Sequence, residues 1–208
     1  MRTYLFLLFT AFFIHLNLAS QEKFGEYALS IENGKLIKGP FNLEISREKQ
    51  LLYVYMHPIG DGLKGDEGGI KLNIKKKQHQ AFISALLNAK QKFVEWDSVA
   101  NKNNVAEDVQ KKMDIRFSGI EAFFKYGSRW HFQKWLELSF YFMYQDKKPI
   151  LYVGTPRLTA SDNQYMRHDG FSLYFDDISK IDEFVDMISD SKIQEFLSSP
   201  PATDLFKD

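Results

Sequence analysis

A chain of 208 residues, 44% hydrophobic and 26% charged, has the composition of one globular domain or two small units sharing a core, and excludes wholesale disorder. Its 27 basic residues balance 27 acidic ones, so no net field draws it toward nucleic acid or an anionic membrane. The lack of cysteine removes disulfides, thiolate metal sites and cysteine nucleophiles, while an aromatic content of 15% favours strands that bury large rings.

In chain order, Arg2, an apolar run over 4–16 and Leu18-Ala19-Ser20 ahead of Gln21 read as a cleavable export signal over 1–20. That run is shorter than the roughly 20 apolar residues needed to span a bilayer. The mature chain is therefore expected to be periplasmic or secreted, with no transmembrane segment. Residues 27–31 alternate as a strand, and Asn33-Gly34 is a strong hairpin signal. Phe41, Leu43 and Ile45 alternate again, a charged turn covers 46–50, and 51–57 is an apolar strand. A glycine-rich loop over 58–69 precedes a strand through Ile70, Leu72 and Ile74. The period then changes to 3.6, with Phe82, Ile83, Leu86, Leu87 and Phe93 on one stripe, predicting a helix over 77–101.

Beyond a connector over 105–112, Met113, Ile115 and Phe117 alternate, and Gly127-Ser128 predicts a tight hairpin. A long aromatic hairpin follows over 130–153, turning at Asp146-Lys147-Lys148. On its first arm the even positions Trp130, Phe132, Leu136, Leu138, Phe140, Phe142 and Tyr144 are apolar or aromatic, which predicts a buried even face. The odd positions, among them His131, Trp135, Tyr141 and Met143, are mixed. A bulge near Lys134 would reassign both faces, because a one-residue slip turns every side chain over. A polar loop is expected over 155–169, then a strand through Phe171, Leu173 and Phe175. A helix capped by Asp176 or Asp177 follows, with a final short helix capped by Ser191.

The halves align with each other. Gly69, Ile70, Leu72 and Ile74 match Gly170, Phe171, Leu173 and Phe175, and Leu52-Tyr53-Val54 recurs as Leu151-Tyr152-Val153. The fold expected from this is α+β: two antiparallel β-meander-plus-helix repeats, ββββα twice, packed as one globular domain. The first repeat spans 21–104 and the second 105–190, leaving a short helix and mobile tail over 191–208. A doubled ββββα unit resembles the whirly and PUR architectures, and that resemblance implies binding of single-stranded nucleic acid. Lys92-Phe93-Val94-Glu95-Trp96 resembles segments of exported bacterial proteins.

Candidate chemistry is sparse. Gly60-Asp61-Gly62-Leu63-Lys64-Gly65 spells a dinucleotide fingerprint, yet a strand rather than a helix follows it, so it reads as a hairpin loop. Asp61, Asp66 and Glu67 supply hard oxygen ligands without the alternating spacing of a calcium loop. His57 and His168-Asp169 flank loops that can meet in space, where an imidazole beside a carboxylate is a possible general base. Lys75-Lys76-Lys77 makes a short basic cluster at a helix start. Trp135, Tyr141 and His131 share the odd face of the long strand and form a candidate stacking platform.

With no nucleophile motif and no acid pair, the expected function is an exported, non-enzymatic binding protein that uses its aromatic sheet face. The expected partner is a protein or glycan, with no cofactor and no metal. Two other readings stay open. One is a hydrolase-like enzyme assembled across the repeats from His57, His168, Asp61 and Asp66. The other is the single-strand nucleic-acid binding that the fold resemblance implies, against which the neutral charge stands.

Overall fold

Alternating hydrophobicity becomes sheet over about half of the computed structural model, which describes residues 21–28, 40–60 and 67–201. Strands β1 (Gln21–Tyr27), β2 (Phe41–Ser46), β3 (Leu51–Tyr55), β4 (His57–Pro58) and β5 (Gly68–Asn73) lead into helix α1 (Gln78–Lys102). The second half holds β6 (Val109–Lys112), β7 (Phe117–Tyr126), β8 (Arg129–Gln145), β9 (Lys148–Gly154), β10 (Leu158–Ala160), β11 (Asn163–His168) and β12 (Phe171–Phe175). Helices α2 (Ile178–Met187) and α3 (Asp190–Ser198) close the described chain. The expected Asn33-Gly34 hairpin, the export signal, and Asp61 and Asp66 lie outside the described residues.

One ten-stranded antiparallel sheet runs in the order β1-β2-β3-β5-β7-β8-β9-β12-β4, with β6 beside β8. Because β4 continues β3 across Met56, its pairing with β12 joins the far end of this path back to the middle. The sheet therefore closes on itself through β3, β5, β7, β8, β9 and β12. Two glycines permit the corner. A methyl group on Gly69 would sit 1.9 Å from the Val54 carbonyl oxygen, and one on Gly68 would sit 2.3 Å from the Phe171 ring.

This arrangement overturns the expectation of two ββββα repeats. β5 hydrogen-bonds directly to β7, Gly69 opposite Phe123 and Lys71 opposite Glu121, so the two halves are one continuous sheet. The second half also carries β6 and a separate β10–β11 hairpin, the latter within the stretch expected to be a polar loop. Its helix α2 has 10 residues against 25 in α1. The physical reason is that periodicity reports which side chains are buried, whereas an unpaired strand edge takes whatever edge completes its hydrogen bonds. Ser189, rather than Ser191, caps α3 by accepting from the Lys192 amide, and Asp177 caps α2 through the Ser179 amide at 2.7 Å.

The concave face of the sheet and the helices share one core. From α1, Phe82 packs on Phe117 at 5.2 Å and Phe93 on Phe142 at 5.9 Å. Phe184 of α2 sits among Tyr27, Phe82 and Phe175. Arg47 anchors the end of α3, donating to the Leu197 and Ser199 carbonyls at 3.0 and 2.8 Å and lying 4.5 Å over the Phe196 ring.

Strands β7 and β8 carry two opposed irregularities. Gly119 bulges β7 at φ 76°, and Trp135 bulges β8 at φ 63°. Beyond the second bulge, Leu136, Leu138, Phe140, Phe142 and Tyr144 point into the core, as alternation predicts. Ahead of it the faces exchange: His131 is buried, and Trp130 and Phe132 are each 38% exposed. The placement of His131 on the outer face is thereby corrected, by the one-residue slip that the bulge introduces. Phe132 and Phe140 should consequently differ although both are even-numbered. Phe140→Ala should cost about 3–5 kcal/mol in denaturant melts, and Phe132→Ala about 1 kcal/mol.

Candidate functional site: an aromatic and lysine cleft

The convex face opposite α1 is built by cross-strand register. Tyr53 lies opposite Lys71, Lys71 opposite Glu121, and Phe123 opposite Phe132, so these side chains stand together on one surface. Phe123 meets Tyr53 and Tyr55 edge to face at 5.5 and 5.1 Å, and its ring is tilted against Trp130 at 5.6 Å. Lys71 is threaded through this layer. Its Nζ is 2.5 Å from Glu121 Oε1 and 3.8 Å from the Phe132 ring centre. Burial pulls the Lys71 pKa below the ordinary lysine value, Glu121 opposes that shift, and the charges of Lys49 and Lys134 add to it.

Beside this layer, at the two bulges, lies an open cleft of about 210 Å³. Lys71, Lys76 and Lys134 give it positive charge against Glu121, and Trp135 stands at its rim, 85% exposed. Gln78 ties the start of α1 to the bulge, accepting from the Asn73 amide at 2.8 Å and donating to the Gly119 carbonyl at 3.1 Å. Among the described residues Lys76 and Lys134 have no ion pair, so their charge is open to an anionic group. The exposed ring offers a flat apolar face beside that charge.

The other expected site residues are placed elsewhere. Tyr141 is half-buried in a second belt of rings, 5.8 Å from Tyr152, which lies 5.0 Å from Tyr174. His57 joins that belt between Phe41 and Tyr174, at 6.1 and 6.2 Å, with Nδ1 buried and without a partner. His131 turns inward, its Nδ1 3.1 Å from Asp162 Oδ1 and its ring 5.7 Å from Phe124. That hydrogen bond holds the Asp162 carboxyl below its ordinary pKa. The loops of His57 and His168 do meet, with Pro58 opposite Phe171 across the β4–β12 ladder. Their rings face different surroundings, however. His168 stacks on Phe171 at 4.3 Å and accepts the Gly170 amide at 2.9 Å.

Of the platform read from the sequence, only Trp135 lines the cleft. Alternation along the strands does not mark Lys71, Lys76, Lys134 or the neighbouring Phe132 as its partners. Gly119 inside a strand pattern was the available signal, since an isolated strand glycine marks a bulge or a close approach. Among the described residues no three histidine, aspartate or glutamate side chains gather as a metal cluster, and no helix is long and apolar enough to cross a membrane.

Burial lowers the His57 pKa from its ordinary value of 6.5. The folded protein thus favours neutral imidazole, and this contribution to stability is fully present above pH 6.5. It is lost as the pH falls toward the lowered folded-state value, because the unfolded chain binds the proton first. In melts from pH 7.5 to pH 5, His57→Phe should flatten this part of the stability loss; an unchanged profile would show that His57 does not contribute to it. No family model, curated protein or solved structure matches this chain.

Proposed function

We propose that this is an exported, non-enzymatic binding protein whose ligand docks on the Trp135 cleft. The observation that carries the reading is Trp135 itself: a large apolar ring, 85% exposed, on a residue at φ 63°. A bulky side chain in that conformation costs of order 1–3 kcal/mol, and such strain clusters at ligand-binding sites. The ring stands beside Lys76 and Lys134, which have no ion pair among the described residues. Such a site suits a ligand with a flat or apolar face next to an anionic group, on a glycan or a protein. The catalytic alternative has less support, because His57 and His168 share a corner of the sheet but pack against different aromatic groups.

Binding should be measured on an array of neutral and uronic-acid oligosaccharides, and on peptides released from extracytoplasmic proteins. Trp135→Ala should keep its melting behaviour within about 1 kcal/mol, while losing about 1–3 kcal/mol of binding, as removal of a stacking ring does. Tyr141→Ala should bind like the parent. Binding that survives Trp135→Ala would end this assignment. Export makes a separate claim: intact-mass analysis of the native protein should find a chain starting near Gln21, and a retained Arg2 would contradict it.

A further inference from the structure

A larger groove lies apart from the Trp135 cleft and shares no lining residue with it. It has a volume of about 840 Å³ and runs between α1 and the chain over 111–116. Its floor is the face of α1 carrying Ala81, Ser84, Ala85 and Asn88, spaced three and four residues apart and small enough to let another backbone come close. The opposite wall is strand β6 and the extended segment that follows it.

Two features of that wall define an occupant. First, β6 pairs with β8 alone among the described strands. The Met113 amide donates to the Phe140 carbonyl at 2.8 Å, so alternate residues of this antiparallel ladder face β8. The backbone groups of Gln110 and Lys112 therefore face the other way, as a strand edge does. Second, the lining holds Lys92, Lys111, Lys112 and Arg116 against Asp114. Lys92 is engaged by Glu95 at 2.9 Å, and Lys111 lies 4.1 Å over the Trp96 ring. Lys112 and Arg116 have no ion pair among the described residues, and half-buried Ile115 stands between Asp114 and Arg116.

From this geometry we infer that the groove receives an extended acidic segment of a protein partner, which adds as a strand along β6. Main-chain hydrogen bonds to the free edge hold such a segment, and alternate side chains meet the cations and the apolar points. A nucleic-acid strand fits less well, because the one large ring of the groove, Trp96, is already covered by Lys111.

The probe is a fluorescein-labelled peptide alternating glutamate and valine, titrated with the mature protein and read by fluorescence anisotropy. A peptide alternating lysine and valine and an oligothymidylate serve as comparisons. The acidic peptide should bind and the basic one should not. Lys112→Glu with Arg116→Glu should weaken binding about tenfold or more, since like charges face each other. Asn88→Trp, at an exposed position on the groove floor, should block it, with circular dichroism showing the fold intact. Methylating alternate peptide amides should abolish binding only if a strand is added. Trp135→Ala should leave this binding unchanged, separating it from the cleft. Equal binding of both peptides, no effect of charge reversal or amide methylation, or no binding at millimolar peptide would overturn the inference. Preferential binding of the oligothymidylate would overturn it in favour of a polyanion site.

Discussion

Strand β8 hydrogen-bonds to β7 through its first half and to β9 and β6 through its second, and the rest of the molecule is arranged around that division. Seventeen residues is long for a strand, and the sheet it belongs to must curve to close through the β4–β12 pairing. The bulge at Trp135 is where this demand is met, with Gly119 absorbing the matching irregularity on β7. A bulge increases twist and leaves one residue outside the ladder. Here that residue is a tryptophan, and its ring is turned to solvent rather than into the core.

Several consequences follow from the exchange of faces at the bulge. Phe132 and Trp130 move to the convex side, where Trp130 meets Phe123 and Tyr55, and Phe132 lies opposite Phe123 with its ring over the Lys71 ammonium. His131 moves to the concave side, against Phe124 and within reach of Asp162, so the β10–β11 hairpin is tied over that end of the core. Ser161 reinforces the tie by donating its amide to the Phe132 carbonyl at 2.9 Å. The surface that results has no net charge to steer a partner, yet it places lysines beside an exposed ring in one cleft and basic residues along a strand edge in another groove. Local charge of this kind selects by contact rather than by a long-range field, because salt screens exposed charges beyond about 10 Å.

Much of this architecture was legible from residue pattern. The helical stripe through Phe82, Leu86 and Phe93 is α1, the Asp146-Lys147 turn joins β8 to β9 with both residues at positive φ, and Asp177 caps α2. Those features depend on neighbours a few residues away, where periodicity, turn chemistry and capping act directly. The second half of β8 likewise buries the residues that alternation selects, Phe140 and Phe142 among them.

What could be read from the chain alone was local: where strands and helices lie, which stretches are apolar, and that cysteine chemistry is excluded. The tertiary structure decided that β5 pairs with β7, so that the matched halves become one sheet instead of two repeated units. It also decided which aromatic residues are surface and which are core. A ladder pairing joins residues far apart in sequence, and a single bulge inverts every side chain on one side of it. Neither is encoded by alternation within one strand; both follow from the need to satisfy the hydrogen bonds of every strand edge while the sheet closes around its core.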